Sequence, residues 1–225
     1  MIRYPRRIRL FAAALSALAG YVDAIGYINL GGFFVSFMSG NSTRLGVGLA
    51  QGSPQAAVAA GLIACFLLGV VAGSLAGHFA GARRRTVVLL FVAALLGAAA
   101  ILAGLGADRL AAAPMAAAMG AENAVFAANG EVRIGLTYMT GTLVKLGQGI
   151  TEALLGRERF GWSPYLKLWL GLVLGGIGGA IAYRGFGLGA LWSAAIVAAA
   201  LAAVADRIAP EVGELAAAVS ATRPS

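Results

Sequence analysis

Cysteine and histidine are nearly missing from this chain, which has one of each, Cys65 and His78, in 225 residues. A single cysteine excludes an internal disulfide, and one histidine beside it leaves no cluster with the spacing of a metal site. No metal and no cofactor is expected. Both residues sit in apolar runs, where packing is the expected role. Enzyme signatures are missing too. There is no Gly-x-Ser-x-Gly elbow, no His-Glu-x-x-His, no thiol–imidazole pair and no nucleotide-binding loop. The expectation is therefore that the chain is not an enzyme, has no catalytic residue and does not by itself pump at the expense of ATP. Charge is the other scarcity. Charged residues make up 12% of the chain and only 9 are acidic, against 60% hydrophobic residues and a mean hydropathy of +0.86. That is too little polar surface to cover a soluble globule of this size, so the lipid bilayer is the expected solvent.

The net charge of +8 does not point to nucleic acid. The arginines fall in short clusters between apolar runs: Arg3, Arg6, Arg7 and Arg9, then Arg83 to Arg85, then Arg157 and Arg159. Such clusters obey the positive-inside rule rather than forming a binding stripe. The arginine-rich start followed by Leu10 and the small residues Ala17-Leu18-Ala19 imitates a cleavable signal peptide. A retained first helix is expected instead, because Leu10 to Gly20, followed by Asp23-Ala24, has a counterpart in Leu110 to Gly120, followed by Asn123-Ala124.

That counterpart belongs to a longer internal repeat. Met38-Ser39-Gly40-Asn41-Ser42-Thr43-Arg44-Leu45-Gly46-Val47-Gly48 returns 101 positions later as Met139-Thr140-Gly141-Thr142-Leu143-Val144-Lys145-Leu146-Gly147-Gln148-Gly149. Apolar segments run over about 10–29, 32–51, 55–80, 86–106, 110–128, 134–155, 163–183 and 188–207, four in each half. The expected organisation is a single membrane domain over 1–225, with one repeat at about 10–106, a second at about 110–207 and a polar tail over 208–225. If all eight segments crossed, Arg83 to Arg85 would fall on the wrong side. If the segments carrying Arg44 and Lys145 enter and return, all three clusters fall on one side. Each half then has three transmembrane helices plus one re-entrant or broken segment. Three is odd, so the halves are inverted relative to each other. The fold class is an all-α polytopic membrane protein. The third segments carry matched ladders, Gly69, Gly73 and Gly77 against Gly171, Gly175 and Gly179, which suit close helix packing and leave room for a homo-oligomer. Segments 86–106 and 188–207 read as plain lipid-facing helices.

The residues able to carry chemistry lie in the repeat. Asn41 and Arg44 share a helical face, as do Thr142 and Lys145 with Gln148 one turn on, and Thr43 adds a hydroxyl. Gly40 and Gly141 precede these faces as helix breaks that would expose backbone N–H groups and a positive end-dipole. Asn41, Thr43, Arg44, Thr142, Lys145 and Gln148 are thus the candidate substrate-binding set, suited to an anionic group. Asp23, Glu122 and Asn123 are the candidates for gating or proton coupling. Two readings of the charges stay open: ion pairs Asp23 with Arg44 and Glu122 with Lys145 that fix the fold, or pairs that a substrate or proton splits during transport. Headgroup snorkelling of Arg44 and Lys145 is a third. Tyr27, Ser39 and Tyr138 are candidates to line a central cavity. Trp162, Tyr165, Trp169, Tyr183 and Trp192 read as interfacial belts, and Glu131 and Arg133 as loop.

The blocks Gly20-Tyr21-Val22-Asp23-Ala24-Ile25-Gly26-Tyr27 and Phe37-Met38-Ser39-Gly40-Asn41-Ser42-Thr43-Arg44-Leu45-Gly46 resemble the YoaK-type family of bacterial inner-membrane proteins, over about residues 8–207. Thr140-Gly141-Thr142 fits the same pattern. The resemblance implies about six spans in the inner membrane. The family is catalogued as a domain of unknown function, so it implies no substrate. From the residues, the leading expectation is a secondary transporter or exporter of a small anionic or zwitterionic organic solute, its N-terminus cytoplasmic and its site at the interface of the repeats. A passive channel of the same architecture, or a non-transport membrane assembly subunit, are the alternatives.

Overall fold

The computed structural model describes residues 5–128, 131–132 and 135–208. Arg3, Arg133 and the tail from Pro210 lie outside them. Each apolar segment becomes one α-helix: α1 (Arg6–Asn29), α2 (Met38–Ala50), α3 (Gln55–Ala80), α4 (Arg84–Gly104), α5 (Asp108–Glu122), α6 (Met139–Leu154), α7 (Ser163–Phe186) and α8 (Leu191–Ile208). Two short strands, β1 (Ala127–Ala128) and β2 (Glu131–Val132), pair antiparallel between α5 and α6. The stretches 6–29, 55–104 and 163–208 are long and apolar enough to cross a membrane. The two longer ones fold into hairpins at Gly81 and Gly187, whose φ of 54° and 55° suits a residue without Cβ. Those stretches therefore contain five crossing helices. The sixth, α5, has 15 residues and continues through a four-residue 3-10 turn, Asn123–Phe126, for a total of about 30 Å, the thickness of a bilayer core. This is an all-α polytopic membrane protein.

Small residues decide which helices meet. A Cβ at Gly175 would collide with the carbonyl oxygen of Ala17, one at Gly179 with that of Tyr21, and one at Gly20 with that of Leu172. Backbone contact therefore runs along the whole α1–α7 interface. In the other pair, Cβ atoms at Gly69 and Gly120 would collide with the carbonyl oxygens of Ala117 and Phe66, and one at Gly73 would crowd Ala121, locking α3 onto α5. Each half thus lends its third helix to the first helix of the other. The two interfaces are equivalent with Gly69 matched to Gly175 and Gly73 to Gly179, the same spacing that separates the hairpin glycines Gly81 and Gly187. The ladder register expected from sequence, Gly69 with Gly171, is off by one helical turn.

Residue numbers rise together along both pairs, so α1 runs parallel to α7 and α3 parallel to α5. Ile8, Leu89, Phe126, Leu168 and Ala205 share one apolar cluster, which brings the starts of α1, α4 and α7 to the same end as the close of α5 and α8. At the opposite end the Tyr183 hydroxyl donates to Asn29 Oδ1. Counterpart helices in the two halves therefore point in opposite directions, an inverted repeat, and the clusters around Arg6, Arg83 and Arg157 gather at one end.

The plain apolar helices α4 and α8 each bury one face and turn the other outward to lipid. Val88, Leu89, Val92 and Leu96 of α4 are fully buried, and Ala194, Ala198, Ala202 and Ala205 form the matching face of α8. Thr86 Oγ1 ties the pair by donating to Asp206 Oδ2 at 2.7 Å. That outward surface carries Leu90 and Ile101 of α4 and Ile196 and Val197 of α8, and it continues over α3 and α7 through exposed Leu67, Leu68, Val71, Leu174, Ile177 and Ile181.

Candidate functional site

The site grows from the break between α1 and α2. The chain leaves α1 through Gly31 and Gly32, at φ of 63° and 101°, and doubles back in extended form alongside the last turns of the helix. Val35 seats against Gly26, where a Cβ would approach within 2.8 Å of its side chain. Asp23 Oδ1 accepts from the backbone N–H groups of Val35 and Ser36, both at 2.8 Å. Asn41, fully buried, clamps the same strand from the other side: its Nδ2 donates to the Phe34 carbonyl at 2.6 Å and its Oδ1 accepts from the Phe34 N–H at 3.1 Å. Two polar side chains thereby satisfy a backbone that has neither helix nor sheet to pair with. The second half carries neutral groups at the matching positions and bonds them differently. Asn123 Nδ2 bonds back to the Met119 carbonyl, its Oδ1 accepts from Thr137 Oγ1 at 3.2 Å, and Thr142 Oγ1 donates to the Tyr138 carbonyl of its own helix.

These supports bring the starts of α2 and α6 to opposite walls of one cavity of about 280 Å³. Ser36 to Ser39 line it from the first half, Thr137 to Gly141 from the second, and Phe66 of α3 completes it. The lining holds hydroxyls, aromatic rings and the N-terminal turns of two helices, with no charged side chain. Two positive helix ends converging on hydroxyls favour an anionic or dipolar guest over a cation.

Of the residues singled out from sequence, Ser39, Tyr138 and Gly141 reach this cavity; Tyr27 instead packs on Phe34, ring centroids 5.0 Å apart. Asn41 and Thr142 stand one turn behind it as supports. The helices begin at Met38 and Met139, so Gly40 and Gly141 fall within their first turns and the break lies upstream. Thr43 bonds its own helix at the Ser39 carbonyl, and Lys145 and Gln148 are exposed. The Arg44 guanidinium sits 4.8 Å over the Phe33 ring. Neither expected ion pair forms. Asp23 is committed to the backbone of Val35 and Ser36, and Glu122 is fully buried with no hydrogen-bond partner for either oxygen. The overlooked lining residues Ser36, Phe66 and Thr137 carry no charge. A signal was present in the pairing of Ser36-Phe37 with Thr137-Tyr138, which extends the repeat upstream in hydroxyl and ring alike.

A family model described as a protein of unknown function (DUF1275) matches residues 11–204. A UPF0700 transmembrane protein of Rhizobium meliloti (strain 1021) is 40% identical over 197 residues, which is 87% of this chain and 85% of the relative. No solved structure matches. The chain belongs to the DUF1275 family of transmembrane proteins, the YoaK-type family that its Asp23 and Arg44 blocks resemble.

Proposed function

We propose that this protein is a secondary transporter or exporter of a small anionic or zwitterionic organic solute in the bacterial inner membrane, its N-terminus cytoplasmic. One observation carries the reading: both copies of the repeat meet at a single cavity, each contributing a helix start and hydroxyls. Inverted halves commonly place a solute site at such an interface, and discontinuous helices aim their positive ends at anionic groups there. With 13 and 16 residues, α2 and α6 are about 20 and 24 Å long, too short to span, which supports their being re-entrant. The gathering of Arg6, Arg83 and Arg157 clusters at one end supports the orientation. A cavity of about 280 Å³ restricts the solute to small molecules. Arg44 and Lys145 act in this reading through their field rather than by contact, and Glu122 is the residue for proton coupling.

The test is a thermal-shift screen of detergent-purified protein against small carboxylates, zwitterions and cations, run beside Ser39→Ala with Thr140→Val. Occupancy at one hundred times the Kd adds about 2.7 kcal/mol of apparent stability. Stabilisation by one anion or zwitterion class, lost in the folded double variant, is expected. Stabilisation by cations alone, or by nothing, overturns the reading. The uncharged, weakly binding lining also suits a passive channel. Counterflow in proteoliposomes separates the two, since only a carrier accelerates uptake when the same solute is loaded on the far side.

A further inference from the structure

A second cavity, of about 500 Å³, opens where the end of α1 meets the starts of α3 and α5. Asn29, Phe33, Gly61, Cys65 and Arg109 help to line it. It shares two walls with the central cavity. The doubled-back strand gives Phe33 to this cavity and Ser36 to the central one, and α3 gives Cys65 to this cavity and Phe66, the next residue, to the central one. Its polar groups are donors. Arg109 supplies a guanidinium. Asn29 Oδ1 is occupied by the Tyr183 hydroxyl, which leaves its Nδ2 as the free group among the described residues. Arg44 adds a second positive charge behind the Phe33 ring. Asp108 precedes Arg109 in the chain but does not line the cavity.

The repeat provides an independent sign. Arg109-Leu110 occupies the place in the second half that Arg9-Leu10 occupies in the first, with the spacing that relates Gly120 to Gly20. Because the halves are inverted, the two arginines stand at opposite ends of the bundle. Arg9 Nε is buried and has no hydrogen-bond partner.

We propose that this cavity is an anion-collecting vestibule of the solute path, with Arg109 and the Asn29 amide as its binding groups for a small carboxylate. This rests on the transport reading, which it extends from the centre to the entrance.

Cys65, the chain's one cysteine, lines the vestibule and reports on it without any transport taking place. Purified protein is treated with sulfonatoethyl and trimethylammonioethyl methanethiosulfonate, each rate normalised to that with free mercaptoethanol. The anionic reagent is expected to win by on the order of tenfold at low salt, as two nearby cations demand. Arg109→Gln should lower the ratio severalfold, Arg109→Lys should keep it, and Arg9→Gln, at the far end, should leave it unchanged. Benzoate should slow modification by neutral methyl methanethiosulfonate in the parent protein and not in Arg109→Gln. Equal normalised rates, a ratio indifferent to Arg109→Gln in folded protein, no protection by benzoate, or a Cys65 inert to all three reagents each overturns the vestibule. Failure here with an intact thermal-shift response leaves the central site standing. A positive vestibule with no solute response at the centre overturns the transport reading instead.

Discussion

At the scale of single residues, the polar side chains divide by what they touch. Asn41 makes two bonds to the Phe34 backbone in a fully buried position. Removing them leaves the half-buried Phe34 N–H and carbonyl without that partner, so Asn41→Ala should cost about 1–3 kcal/mol, seen as a lower midpoint of thermal unfolding in detergent. Lys145→Gln, on an exposed side chain, should stay within about 0.5 kcal/mol. Asp23→Asn retains an acceptor for Val35 and Ser36 but loses the charge assistance, for about 1–2 kcal/mol, and Asp23→Ala loses more. Glu122 is different in kind, because it holds nothing in place. Glu122→Gln keeps shape and burial, so the fold should survive while pH-gradient-driven solute uptake in proteoliposomes is lost; uptake that still follows the gradient would remove Glu122 from the coupling step. Charge drew the sequence reading to Arg44 and Lys145, since a cation in an apolar run is conspicuous. The cavity is built from hydroxyls, rings and helix ends, whose contribution depends on backbone direction and leaves little trace in composition.

At the scale of elements, the eight helices were legible because each coincides with an apolar run bounded by glycine, proline or charge. The glycine register was not. A ladder with a period of four looks the same after sliding by four, and extra residues between α6 and α7 shift the second half relative to the first. Only the hairpin glycines and the partner backbones fix the match. The interfaces make a sharp contrast testable. Gly175→Ala places a methyl in the Ala17 carbonyl and should destabilise by about 2–3 kcal/mol. Gly141→Ala meets nothing within 4 Å and should stabilise α6 by about 0.5–1 kcal/mol. Circular dichroism melts of both variants would read the difference. For α2, single cysteines placed along 32–51 in a Cys65→Ala background should label from one side of the membrane only, deepest near Met38. Labelling that passes from one side to the other along the segment would mean that α2 spans.

For the whole molecule, the parallel pairs α1 with α7 and α3 with α5 join the halves more closely than either half is joined within itself. Expressed separately, residues 1–107 and 108–225 should each be degraded, and together they should restore the thermal transition of the intact chain. Recovery of one half alone as a stable species would contradict the pairing.

The same pairing sets a schedule for synthesis. The ribosome releases α1 long before α7, whose first residue is Ser163, and at about 5–20 residues per second the gap is roughly 7–27 s. Throughout that interval Gly20 and the carbonyls of Ala17 and Tyr21 face lipid without the helix they are shaped for. The first helix is thus held in an unfinished membrane protein until the seventh arrives, an interval long enough for an insertase to shelter it or a protease to find it.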